Sequence, residues 1–189
     1  QGYRQEENVN PQSTVETYVA LKLFIDNWRW AGVPFFLRSG KRLPKRATEI
    51  AVIFKEAPGV LFNVHSQNEA NALVIRIQPD EGIALKFNSK IPGNTTLIHP
   101  VKMDFKCGSY YGATPPEAYE RLLWDAMVGD STLFARQDEV MASWHIVEPI
   151  LNEWKASSPS DFPNYPAGSW GPLAADDLIQ KTGRHWRLI

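Results

Sequence analysis

The stretch FLRSGKRLPKR, residues 36–46, gathers Arg38, Lys41, Arg42, Lys45 and Arg46 around Gly40, in a chain whose formal net charge is only -1. Lysine and arginine hold phosphate and hydroxyl oxygens as charged donors, a glycine lets the backbone approach a ligand, and Pro44 stiffens the turn. A plain solvated turn would have the same composition. A second candidate lies in ALVIRIQ, residues 72–78. Period-2 alternation sets Leu73, Ile75 and Ile77 on one side and Val74, Arg76 and Gln78 on the other, so Arg76 and Gln78 are neighbours. Gln78 offers a sugar hydroxyl both a donor and an acceptor. A solvent-facing pair fits the spacing equally well.

Other reactive residues are less suggestive. His65, His99, His145 and His185 are scattered, with neither HxxxH nor HExxH spacing and no cysteine cluster, which argues against a metal site. Cys107 is the single cysteine; it excludes an intrachain disulfide and fits a cytoplasmic setting, where it reads as an incidental thiol. The sequon Asn94-Thr95-Thr96 therefore reads as chance. Glu117, Glu120 and Asp125 read as a helix cap and solvent face, and, with Asp104, show no sign of a desolvated acid–base pair. No GxGxxG and no GxxxxGK[ST] occurs, so no dinucleotide fold is expected here.

The elements that position these residues follow from periodicity. Ser13 and Glu16 stand at capping-box spacing, and apolar residues dominate from Val15 to Trp30 before Gly32 and Pro34, which predicts a buried helix. The next segments are β-branched and turn-bounded, predicting strands at 49–55, 72–78, 82–87 and 97–105. QPDEG between the second and third suits a tight hairpin. PPEAYERLLWDAMVG predicts a helix capped by Thr114 and stopped by Gly129. Asp138 is placed to cap a further helix striped by Val140, Trp144, Val147, Leu151 and Trp154, with Pro149 near its end. LAADDLIQK adds a short helix. With 189 residues, 43% of them hydrophobic, the chain can bury one good-sized core. The predicted class is α+β, a large mainly antiparallel sheet with helices packed on one face and the other face open to a second subunit. Twenty basic against 21 acidic residues leave no general field for nucleic acid or an anionic membrane. The opening QGYRQEENVN lacks an initiator methionine and any leader pattern, as expected of a segment from a longer soluble protein.

STVETYVALKLFIDNWRWAGVPFFLRSGKRLPKR, LVIRIQPDEGIALKFNSKIPG, PEAYERLLWDAMVGDSTLFARQDEVMASW and YPAGSWGP together resemble the C-terminal domain of the glucose-6-phosphate dehydrogenase family, of bacterial type. The resemblance runs in order over nearly the whole chain. It implies a two-domain enzyme that oxidises glucose 6-phosphate to 6-phosphogluconolactone with NADP, in some members NAD. Its Rossmann domain and catalytic histidine belong to an N-terminal half absent here, so this segment alone is expected to be inactive. The resemblance also implies that Lys41, Arg46 and Gln78 contact substrate. Many bacterial members have lysine where this chain has Arg46, which keeps the charge but changes the donor geometry. Arg76 and Asp104 fall at positions linked to a structural NADP in some members, and Arg184, Trp186 and Arg187 lie in the corresponding tail, although GRHWRLI departs from theirs. A homodimer or homotetramer through the sheet is implied. The competing expectation is a docking module for a regulatory protein, using the exposed sheet or the Trp170 loop.

Overall fold

The computed structural model describes residues 2–56, 70–94, 97–112, 118–157 and 161–189. His65, the Thr95–Thr96 part of the sequon and the expected cap at Thr114–Glu117 lie outside them. The chain forms two compact units, Gln1–Lys45 with Thr132–Ile189, and Arg46–Ser131.

The first unit is built on a hairpin where the sequence predicts a helix. Strand β1, Tyr18–Leu23, runs antiparallel to β2, Phe35–Gly40, from Leu23↔Phe35 at the loop end to Tyr18↔Gly40. Residues 15–30 are apolar almost everywhere, so they satisfy a helical and an alternating period alike. Neighbours decide between the two. The Asn27 side chain accepts the backbone N–H groups of Arg29 at 3.1 Å and Trp30 at 2.9 Å, which folds a turn within the last residues of the expected helix. Gly32 follows at φ +77°, and Trp30 packs edge-on against Phe35 at 5.4 Å. Cross-strand pairing with β2 therefore overrides helix propensity.

Among the described residues this unit also holds two α-helices. The longer one, Gln137–Ala156, contains Pro149 and starts two residues earlier than a cap at Asp138 would set it. Its N-cap is Arg136, not Asp138; Asp138 instead accepts two bonds from the Arg136 guanidinium, at 3.0 and 2.8 Å. The shorter one, Leu173–Gln180, buries Ala175 and Ile179, one turn apart, and lies against β1.

The second unit is a four-stranded antiparallel sheet of β3 Thr48–Ile53, β4 Ala72–Gln78, β5 Gly82–Lys90 and β6 Ile98–Lys106, in that order. A register shift separates Thr48 from Glu49. β6 leads into helix α1, Cys107–Tyr111, and then α2, Ala118–Val128, which Gly129 ends at φ +76°. The 173–180 and 137–156 helices are numbered α4 and α3. The result is an α+β architecture with two antiparallel sheets, of four and two strands.

Alternation sorts the larger sheet into two faces. Val52, Leu73, Leu85 and Met103 form one row across all four strands, and Ile50, Ile75, Ile83 and Phe105 the next, so one face is apolar from edge to edge. The other carries Ala51, Val74, Ala84 and Asp104, then Glu49, Arg76, Gly82 and Lys106. The apolar face is the open one: Ile50 is 54% exposed, Ile83 48% and Met103 60%, whereas Val74 and Ala84 opposite are buried.

Candidate functional site

Lys41 follows β2 directly, and its backbone is held from three directions. Its N–H donates to the Thr17 carbonyl at 2.8 Å. The Tyr165 hydroxyl lies 2.9 Å from that same carbonyl and 3.0 Å from the carbonyl of Lys41, so its proton serves both oxygens. Gly168 N–H donates to the Arg42 carbonyl at 2.8 Å. Gly40 is required by close approach, since a Cβ there would stand 2.5 Å from the Tyr18 ring. Burial pushes the Tyr18 phenol above its ordinary pKa, and the charge of Arg38 opposes that shift. The Lys41 side chain is exposed, and among the described residues no carboxylate pairs with it. A fixed backbone with an uncompensated ammonium can receive an anion without first breaking an ion pair.

The remaining cations of the stretch divide by role. Arg42, at φ +53°, bonds Glu6 at 3.0 Å and is largely solvated. Arg38 is not part of a solvated turn at all: its guanidinium lies 5.0 Å from the Trp170 ring and 4.9 Å from the Trp186 ring. Arg46 opens the second unit, two residues before Thr48, and is exposed. Gln78, at the end of β4, donates through Nε2 to the Thr48 hydroxyl at 3.1 Å, which brings it to the same end of the β3–β4 pair.

Arg76 turns away from that end. It crosses β5 over Gly82, where an added Cβ would meet its guanidinium, and pairs with Asp104 on β6. The same guanidinium donates to the Phe105 carbonyl at 3.2 Å, and Lys102 reaches Asp104 at 2.6 Å. The bonds from Arg76, then from Lys102, hold the Asp104 carboxyl well below the usual carboxylate range, and Asp104 in turn raises Arg76.

Asp125 departs from the expected solvent face. It is only 1% exposed, with one oxygen on Arg121 Nε at 2.8 Å and the other, Oδ2, without a partner among the described residues. Burial depends on what surrounds a helix position, and an i,i+4 arginine neutralises the carboxylate there. Cys107 is a free thiol at the start of α1, and no group of potential metal ligands occurs among the described residues. Sequence reasoning missed Tyr165, Trp170 and Trp186 as supports of the Lys41 turn; the only signal was the unusual Tyr-Pro-Ala-Gly-Ser-Trp run, which carries the first two.

Comparison with known proteins decides the lineage. The family model described as "Glucose-6-phosphate dehydrogenase, C-terminal domain" matches residues 1–187. The chain belongs to that family. Among relatives of this glucose-6-phosphate dehydrogenase C-terminal domain, the glucose-6-phosphate 1-dehydrogenase of Chlamydia pneumoniae is 58% identical over 192 residues, covering all of this chain and 38% of the relative. That of Treponema pallidum is 51% identical over 98% of this chain and 36% of the relative. The crystal structure of glucose-6-phosphate 1-dehydrogenase from Mycobacterium avium superposes with a TM-score of 0.82 at 41% identity, over all of this chain and 39% of the other. A glucose-6-phosphate dehydrogenase in complex with its substrate, glucose 6-phosphate, superposes at 0.80 with 34% identity, over 96% of this chain and 37% of the other. The chain thus spans well under half the length of the relatives it matches.

Proposed function

We propose that this chain is the substrate-binding and subunit-contact domain of a dehydrogenase that oxidises glucose 6-phosphate at C1 to 6-phosphogluconolactone, the opening step of the oxidative pentose phosphate route. The observation that carries the reading is the Lys41 turn: its backbone is held by Thr17, Tyr165 and Gly168, its ammonium has no carboxylate partner among the described residues, and a structural relative is solved with glucose 6-phosphate. In this reading Lys41 binds a phosphate or hydroxyl oxygen of the sugar phosphate. Arg46 adds a second cation five residues on, and Gln78, beside Thr48, orients a ring hydroxyl.

NADP supplies the hydride acceptor when bound. In this reading its site lies mainly outside this chain, which carries no Gly-rich fingerprint. The base that removes the C1 hydroxyl proton is likewise assigned to the part of the relatives' length beyond this domain, so the domain alone is inactive in this reading. In this reading Arg76 and Asp104 remain the candidates for contacting a structural nucleotide, which would have to share Arg76 with Asp104 and the Phe105 carbonyl, beside Lys102. The open apolar face of the four-stranded sheet supports self-association as a homodimer or homotetramer. Among the described residues no helix is long and apolar enough to cross a membrane, which agrees with a cytoplasmic enzyme.

In the full-length enzyme, Lys41→Ala and Gln78→Ala should each lower kcat/KM for glucose 6-phosphate at least tenfold, about 1.4 kcal/mol of transition-state binding. Unchanged steady-state kinetics in both variants would remove the site assignment.

A further inference from the structure

Residues 184–189 follow α4 and lie back along β2, far from the Lys41 turn in sequence but joined to the strand that leads into it. Trp186 is the hub. Its ring covers the Arg38 guanidinium at 4.9 Å, Trp170 covers the same cation at 5.0 Å, and Phe36 meets Trp186 edge-on at 6.2 Å. The indole N–H donates to the Ala175 carbonyl at 2.8 Å, which ties the tail to α4. Arg38 in turn donates to the Arg187 carbonyl at 2.8 Å. The tail is therefore fixed to β2 by a stacked, hydrogen-bonded cation, and to α4 by an indole.

Arg38 stands three residues before Lys41, and Trp170 is followed by Gly171 at φ +116°. A Cβ on Gly171 would overlap the Tyr18 ring, and so would one on Gly40. Tyr18 also packs edge-on against Tyr165 at 5.5 Å, and Tyr165 bonds the carbonyl of Lys41. A continuous set of contacts thus runs from the tail through Arg38 and Trp170 to Tyr18, Tyr165 and the Lys41 backbone. All of its members lie in one unit.

We propose that the C-terminal tail is a positioning device for substrate binding: Trp186, with Trp170, clamps Arg38 so that β2 delivers Lys41 in its binding geometry. Trp186 is a positioning residue and touches no reacting atom. The inference rests on the assignment of Lys41 to the sugar-phosphate site. A guanidinium stacks between two indoles as a flat, weakly hydrated cation, which a lysine ammonium does not reproduce. Loss of the stack frees the end of β2, and the disorder is felt where the substrate must be held.

The experiment uses the full-length enzyme with Trp186→Ala, Trp186→Phe, Arg38→Lys, Lys41→Ala and the double variant Lys41→Ala/Trp186→Ala. Trp186→Ala and Arg38→Lys should each raise KM for glucose 6-phosphate by about fivefold or more, leaving kcat and the KM for NADP within about twofold; Trp186→Phe should restore most of the loss. In the Lys41→Ala background, Trp186→Ala should add little, because both changes act on one interaction. An impaired Lys41→Ala with normal Trp186→Ala and Arg38→Lys would overturn the tail's role and leave the site assignment standing. A full additional loss in the double variant would also overturn it. Normal kinetics in Lys41→Ala would overturn both. Should Trp186→Ala fail to fold, Arg38→Lys, a surface-compatible change of the same charge, decides the matter.

Discussion

At the scale of single residues, charge is distributed according to what each cation can reach. Lys41 has no carboxylate partner among the described residues, Arg42 is paired with Glu6, Arg38 lies over two indole rings, and Arg76 is locked to Asp104. The Asp104 cluster has a pH signature. Its carboxyl is held well below its ordinary value in the folded chain and returns to about 3.9 on unfolding. Its contribution to stability is therefore complete above the unfolded value and is lost as pH falls through the folded one. Urea unfolding of Asp104→Asn should show a deficit against the parent that is constant from about pH 5 upward and narrows below about pH 4. Parallel curves at every pH would mean that the cluster contributes nothing net.

The β1–β2 hairpin sets the site at the scale of elements. Its closing pair, Tyr18↔Gly40, places an aromatic ring across a residue that has no side chain, and the ring fills the space. Gly40→Ala should force the Tyr18 ring against the Gly171 backbone, since the new methyl has no free volume. The expected cost is about 1–3 kcal/mol in denaturant unfolding, with a raised KM for glucose 6-phosphate. An unaltered denaturation midpoint would show that Tyr18 relaxes freely. The β4–β5 pair follows the same logic. Arg76 crosses to β6 over Gly82, where a Cβ would meet both the Phe105 carbonyl and the Arg76 guanidinium, so a glycine on this central strand leaves room for the two.

For the molecule as a whole, the decisive feature is a four-stranded sheet with one face apolar and open. Rows such as Ile50, Ile75, Ile83 and Phe105 would be costly to leave in water, and a second copy of the chain covers them in the proposed assembly. Met103→Glu places a charge on the β6 side of that face at a side chain already 60% exposed, so the monomer tolerates it. Analytical ultracentrifugation of the full-length protein should show the variant shifted toward monomer at micromolar concentration. Retention of the parent's oligomeric state would place the subunit contact elsewhere.

How much of this was legible in the residues depends on the distance over which each feature is encoded. β4 and the start of β5 could be read directly, because alternation, β-branched side chains and a bounding Pro79-Asp80 turn are all local; so could α2, ended by Gly129, and α4. Residue type alone flagged the basic 36–46 stretch and the Arg76–Gln78 pair, and the family resemblance picked Lys41, Arg46 and Gln78 out of them. The β1–β2 hairpin could not be read, since an apolar run carries two periods and only its pairing with Phe35–Gly40 selects one. Nor could the burial of Asp125, the reach of Arg76 across Gly82, or the bond between Arg38 and a carbonyl 149 residues further along. The sequence by itself determined the α+β class, most of the strands and helices, and the residue types at the site, because backbone sterics and side-chain periodicity act within a few positions. The tertiary structure alone decided which cations remain free and which are neutralised, because charge pairing and burial depend on groups that meet only after the chain has closed on itself.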